Sequence, residues 1–200
     1  MTTSEDDDGE GMSPEDAARW HFARTLADLG ELTALWLEGG IQQTPSHLGP
    51  PDTETGPLIQ LLAAVNRAGF VTHQSQPGIP LDEHRSAQRA NVSGFASSDA
   101  FARLMAAAAR ADLIITAARG LAEDGFGPFF AITLDYGEEC TWDGIADPRS
   151  ELEYHYGRVC RPEAVSAVCT AWQVTLIDPE WGRNDVLWPI LEQFAASQAA

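Results

Sequence analysis

Lysine is absent from this 200-residue chain, and all 12 basic side chains are arginine. A chain without lysine cannot form a lysine Schiff base, which excludes pyridoxal-phosphate chemistry. Nor can it supply the lysine of a Walker phosphate loop or of a protein-kinase site. Cysteine is scarce: Cys140, Cys160 and Cys169 stand apart with no C-x-x-C spacing, so a structural zinc site is not expected. No run of about 18 apolar residues occurs, so no membrane span is expected. The opening MTTSEDDDGEG has neither the basic start nor the apolar stretch of a secretory signal. With three unpaired thiols, this points to a reducing, cytoplasmic setting. His21, His47, His73, His84 and His155 form no H-x-x-x-H or H-E-x-x-H pattern, and there is no G-x-S-x-G elbow. Neither a metal nor a cofactor is expected.

Acidic residues are abundant, 30 against 12 basic ones. Seven of the acids precede Ala17, where no base occurs, which leaves a net charge of −11 on the remainder. Such a surface repels phosphate backbones, so no nucleic-acid backbone binding is expected. A DNA mimic would need dense carboxylate rows, which the remainder lacks. Forty-four percent of the chain is apolar, enough for a full core.

Residues 1–12 read as a disordered acidic tail and residues 13–200 as one globular domain. Ser13-Pro14-Glu15-Asp16 predicts a capped first helix to about Arg24. Thr25 and Asp28 predict a second, ending at Gly39-Gly40. Proline-rich residues 41–56 read as loop, and 57–68 as a third helix. Phe70–His73 reads as a strand, Ser75–Gly78 as a turn and Gln88–Phe95 as a second strand. A helix capped by Ser97 or Ser98 follows, then strands over Leu113–Thr116 and, after a glycine-rich turn, Phe129–Leu134. Thr141-Trp142 fits a strand or a loop, and Glu151–Tyr156 is ambiguous. Pro162 opens a helix to Thr170, Trp172–Ile177 is a strand, and Pro189 opens a last helix. Strands alternate with helices after residue 69, which predicts α+β (or α/β) structure: a mixed sheet with helices packed on it, preceded by two N-terminal helices on one face or edge.

The segments Leu26–Gly39 (LADLGELTALWLEG), Val65–Gly78 (VNRAGFVTHQSQPG) and Gln88–Ala96 (QRANVSGFA) together resemble a family of uncharacterised actinobacterial proteins. Similar Ser-Gln-Pro and Gln-Arg…Gly-Phe patterns occur in some phage and large-virus proteins. The resemblance covers about the first half of the chain and implies a family, a possible phage–host or defence context, and no activity. His73 stands where a small hydroxyl residue is more usual in that pattern.

Thr72, Ser75 and Gln76 leave one predicted strand, and Gln88 and Arg89 enter the next. If the two strands pair, the five side chains converge on a pocket in which arginine offers a fork to an anion and glutamine reads an amide or base edge. The alternative is that Ser75–Gly78 is only a turn and Arg89 only a buried tie between loops. Asp135 and Tyr136 open an acidic segment, Asp135–Glu139, placed after a strand where open α/β sheets hold ligands. With Asp143 and Asp147 it could hold a hard cation or supply paired carboxylates, or be only a solvated acidic loop. Asp178 and Trp181 follow the last predicted strand, where a tryptophan can stack on a flat ligand or cover the core. Asn91-Val-Ser93 has the form of a glycosylation acceptor, without meaning in a cytoplasmic protein.

Two functions fit these residues. One is a binding or interaction protein that recognises a protein partner or a small polar ligand. The other is a metal-independent enzyme acting on a nucleotide-like or amide-bearing substrate, with Arg89 anchoring an anion and Gln76, Gln88 or Asp135 orienting the reacting group.

Overall fold

The computed structural model describes residues 12–119 and 127–197. The predicted acidic tail, apart from Met12, and most of the glycine-rich turn before Phe129 lie outside the described residues. Two helices come first, α1 (Pro14–Phe22) and α2 (Leu26–Leu37). Ser13 caps the first through the Asp16 amide, and Thr25 and Asp28 form a reciprocal capping box on the second. Hydrogen bonds to Asp28 from the Arg24 and Thr25 backbone hold its carboxyl below the usual carboxylate range. A 3₁₀ turn (Thr53–Leu58) leads into α3 (Ile59–Arg67). The strands β1 (Phe70–Gln76) and β2 (Ala87–Ala96) follow, then α4 (Ser98–Ala108) and β3 (Ile114–Arg119). After them come β4 (Phe130–Asp135), β5 (Glu138–Asp143), α5 (Arg149–Gly157), α6 (Pro162–Thr170), β6 (Trp172–Trp181) and α7 (Leu187–Ala196).

Every strand pairing is antiparallel, so the fold is α+β and not doubly wound α/β. β2 lies between β1 and β6, and β6 carries β3 on its other side. Three predicted strands were too short, and the one expected to end at Thr116 runs on to Arg119, paired with β6. β1 continues through Ser75 and Gln76, because both pair with β2 (Ser75↔Val92, Gln76↔Asn91). β6 continues through Trp181, because Arg89 pairs there. The ambiguous stretch around Glu151 is helical. α7 begins two residues before Pro189, so the proline occupies the first turn, where its missing N–H costs no hydrogen bond.

Strand side chains alternate in direction, and here both faces are covered. Phe70, Val92, Ala96, Val174 and Leu176 meet α3, α4 and α7 through Leu62, Leu104, Leu191 and Phe194. On the opposite face Val71 and Phe95 meet α5 and α6 through Leu152, Tyr156 and Val168. α2 packs on β1 and contributes to both cores, with Ala34 and Leu37 in the first and Leu29 in the second. Trp20 and Trp36 fill space and also pin the 41–50 loop, donating their indole N–H groups to Gln43 O at 3.0 Å and Gly49 O at 2.9 Å. Among the described residues no helix is long and apolar enough to cross a membrane.

Gly94 allows the closest strand approach. A Cβ there would strike the carbonyl oxygen of Val71 and lie 2.9 Å from Thr72 Cα. Both are backbone atoms of β1 that cannot turn aside. Gly94→Ala is expected to lower stability by roughly 3 kcal/mol by forcing β1 off β2, measured as the urea midpoint at constant slope. A loss below about 0.5 kcal/mol would show that the two strands tolerate a wider spacing.

Candidate functional site

β4 does not stay in the sheet. It pairs with β2 only at Ala87 and Gln88. From Arg89 onward the neighbours of β2 are β1 and β6, so the first half of β4 has left it. The carbonyls this releases need donors, because buried main-chain oxygens are seldom left unpaired. Arg89 and Gln76 supply them. Arg89 Nη1 donates to Ala131 O at 2.7 Å, and Gln76 Nε2 donates to Ile132 O at 3.0 Å. Arg89 Nε also donates to Pro179 O at 3.2 Å, and its guanidinium lies 4.1 Å over the Trp181 ring. Burial pushes the Arg89 pKa down, against the pull of Glu139 and Asp178. A planar five-donor fork suits three such contacts, and an ammonium does not.

The β4–β5 ribbon therefore folds across the second face of the sheet. Its far end is anchored where Asn91 Nδ2 donates to Asp143 Oδ2 at 2.7 Å and Thr116 Oγ1 donates to Gly144 O at 2.8 Å. Its near end is a two-residue hairpin, Tyr136-Gly137, with φ of 48° and 83°.

Between the sheet and the segments that flank the ribbon, Gly127-Pro128 and Gly144–Ala146, lies a cleft of about 270 Å³. Its floor is a row of hydroxyls on three adjacent strands. Ser93 of β2 is in register with Thr175 of β6, which is in register with Thr116 of β3. Pro128, Ile145 and Ala146 form apolar walls, and His73 and Gln173 close one end. Gln173 is committed to the chain itself, accepting from Asp147 N at 2.7 Å and donating to Asp147 O at 2.9 Å. Thr175 Oγ1 is 3.5 Å from Asp143 Oδ1. Ser93 is 3 % exposed and its Oγ has no hydrogen-bond partner. Asn91, two residues back on the same face and fully buried, has an unpartnered Oδ1.

His73 is placed by a bulge. The register of β1 against β2 shifts between Thr72 and Gln74, so His73 is the extra residue and its side chain is re-aimed. Its ring lies against Phe95, with centroids 5.2 Å apart, and Nε2 is 3.9 Å from Asp147 Oδ2. His73 also borders a second cavity of about 330 Å³ with His47, Glu151 and His155. Among the described residues no group of histidines, cysteines and acids could hold a metal ion.

The five primary candidates do not converge on one pocket. Thr72 is buried, accepting from Asn66 Nδ2 at 2.7 Å, while its N–H donates to Asn66 Oδ1 at 2.9 Å. Ser75 borders a separate shallow cavity near Trp36 and Asp52. Gln88 donates to Pro77 O at 3.0 Å and reaches Glu54 at 3.4 Å. Gln76 and Arg89 hold the ribbon. Of the others, Asp135 and Tyr136 form the hairpin tip, not a ligand loop at the end of a parallel strand, and Asp135 accepts from Ser86 at 3.1 Å. Asp178 lies within β6 and is fully buried, with Arg183 Nε 2.7 Å and 2.8 Å from its two oxygens. Trp181 also lies within β6, under Arg89. Sequence reading missed Ser93, Thr116 and Thr175 as a group, because only strand register puts them in one row. The polar residues at 91 and 93, alternating with Ala90 and Val92 in the middle of the strand, were the available signal.

The thiols split by environment. Cys140 is exposed, whereas Cys160 and Cys169 are buried beside α6. Burial pushes the Cys160 thiol from 9.0 up to about 12 and raises Cys169 as well, so neither is an activated nucleophile.

A family model described as a domain of unknown function (DUF6919) matches residues 15–198. The match spans nearly the whole chain, and the chain belongs to that family. None of the curated proteins matches it.

Three outcomes follow from this geometry. Arg89→Ala leaves the Ala131 and Pro179 carbonyls short of donors and is expected to cost about 2–4 kcal/mol, with Arg89→Lys recovering little of it. Urea unfolding at the wild-type midpoint would show that the ribbon is held without Arg89. Thiol labelling of the native protein should modify Cys140 alone. Because Cys160 stays protonated in the folded chain to about pH 12 and ionises near 9.0 when unfolded, its contribution to stability is complete below pH 9 and is lost as the pH rises toward 12. Cys160→Ala should flatten that fall, and an unchanged pH profile would contradict it.

Proposed function

We propose that this protein binds a small polar ligand in the cleft between the sheet and the segments that flank the β4–β5 ribbon. The observation that carries the reading is the buried Ser93 Oγ at its floor, which has no hydrogen-bond partner. Such a group costs about 1–3 kcal/mol when left unsatisfied. An apolar residue of similar size would avoid that cost, so a polar floor under apolar walls is suited to a ligand that supplies the missing hydrogen bonds.

Catalysis is less well supported. His73 carries Asp147 on one side and lies across the strand pair from Ser93, but Ser93 Oγ makes no hydrogen bond with the imidazole, so the two are not set as nucleophile and base. Arg89 and Gln76, the side chains expected to anchor a substrate, are spent on main-chain carbonyls. A protein partner is the second reading. Phe129 and Trp142 pack edge to face, 6.4 Å apart, and are 58 % and 46 % exposed. An exposed aromatic pair of this kind could serve as the centre of a partner surface.

Native mass spectrometry of freshly purified protein, compared with its denatured mass, tests the ligand reading. A mass excess that disappears on denaturation, and is absent from a folded Ser93→Val variant, is the expected result. The same excess on Ser93→Val would place the ligand elsewhere.

A further inference from the structure

We infer that this protein forms a two-fold dimer in which β3 of one copy pairs antiparallel with β3 of the other. The inference is independent of the ligand-binding reading above and concerns the edge of the sheet.

The first observation is that this edge is open. β3 pairs with β6 on one side, and among the described residues no strand lies on its other side. Nor does a hydrogen bond from any loop backbone of the described residues reach Ile114–Arg119. The outward N–H and C=O groups of β3 are thus left to water or to a partner. β1, at the far side of the sheet, is instead packed against α2.

The second is that nothing in β3 protects this edge. Soluble proteins blunt open edges with charges, prolines or bulges. The other open edge, β5, follows that rule. It carries Glu138, Glu139 and Asp143, and its register against β4 shifts twice. Pairing β5 with itself would crowd carboxylates together, which is unfavourable. β3 reads Ile-Ile-Thr-Ala-Ala-Arg, with no acid, glycine or proline, and it pairs with β6 without a register shift. An edge this regular, roughly 20 Å long at the usual rise per residue, is a template for strand addition.

The third names the occupant as a second copy. Asp112 precedes β3 and Arg119 ends it, so the edge is acidic at one end and basic at the other. Antiparallel self-pairing reverses one copy against the other. A register centred on Ile115 or on Thr116 brings Asp112 of each copy to within one residue of Arg119 of the other, twice by symmetry. Both charges are available. The Asp112 side chain is 81 % exposed and its carboxylate reaches only Arg183, at 3.8 Å. Arg119 is exposed and meets no carboxylate among the described residues. Leu113 and Ile115, only partly buried at the margin of the core, would be covered by the second copy. The net charge of −18 on each chain opposes association at long range, and salt screens that repulsion.

Sedimentation equilibrium of the full chain tests this, from micromolar to millimolar concentration and in low and high salt. A monomer–dimer equilibrium is expected. Ala117→Lys, at an exposed position in the edge, should weaken the dimer about tenfold or more. Cys140→Lys makes the same change of charge at an exposed position of β5 and should leave the dimer unchanged. Amide hydrogen exchange places the contact: β3 amides that exchange quickly in the dilute monomer should be protected in the dimer. A monomer under every condition would overturn the inference. So would a dimer that Ala117→Lys leaves intact, or that Cys140→Lys weakens as much. Protection of the same β3 amides in the monomer would also overturn it, since the chain would then cover its own edge.

Discussion

The contact on which the second face of this protein depends is the arginine fork at position 89. A strand that leaves its sheet exposes carbonyls, and those of β4 would be left inside the protein with no N–H to meet them. Arg89 meets one of them and at the same time holds the Pro179 carbonyl at the irregular end of β6. Gln76, reaching over from β1, meets the next. Trp181 supports the guanidinium from below. Side chains from two neighbouring strands thus take over hydrogen bonds that a continuous ladder would have made. The result is a ribbon that stands off the sheet and whose flanking segments, at Pro128 and Gly144–Ala146, roof a cleft, where a flat pairing would have left only one more edge strand.

Below that roof the two faces of the sheet differ in chemistry. The face under α3, α4 and α7 is apolar along β2 and β6, through Val92, Ala96, Val174 and Leu176. On the other face the same two strands carry Asn91, Ser93, Gln173 and Thr175 between the apolar positions. Helices α5 and α6 cover only the Val71 and Phe95 end of it. The middle is covered by the ribbon and is polar on its inner side as well, with Asp143 joined to Asn91. A buried surface of that kind is stable only where its groups are satisfied. Here Thr116, Gln173 and Asp143 are, and two oxygens are not.

Much of the architecture was legible in the chain. The capping box at Thr25 and Asp28, the helix opened by Pro162 and the second strand around Gln88–Phe95 all follow from local chemistry, and each lies close to where it was expected. What was not legible depends on pairing. Ser75-Gln76-Pro77-Gly78 has the composition of a turn, yet its first two residues continue a strand because β2 is long enough to pair with them. Asp178-Pro179-Glu180-Trp181 reads as a loop, and it is strand because Arg89 and Gln88 hold it there, with Gly182 N donating to Gln88 O at 2.9 Å. Asp135-Tyr136-Gly137-Glu138 looks like an acidic ligand loop and is a hairpin tip, since two consecutive residues with positive φ make a tight turn. Thr72, Gln76 and Arg89 were singled out for their hydrogen-bonding capacity, and that capacity is used within the chain. The hydroxyl row escaped notice because Thr116, Ser93 and Thr175 are far apart in sequence and meet only through the register of three strands.

The central claim is that the floor of the cleft holds a hydrogen-bonding position that the protein itself does not fill. A high-resolution crystal structure of the full chain tests it most directly. An open cleft is predicted, with an ordered group from outside the chain within hydrogen-bonding distance of Ser93 Oγ. A collapsed cleft, with that oxygen bonded to a partner in the protein's own chain, would contradict it.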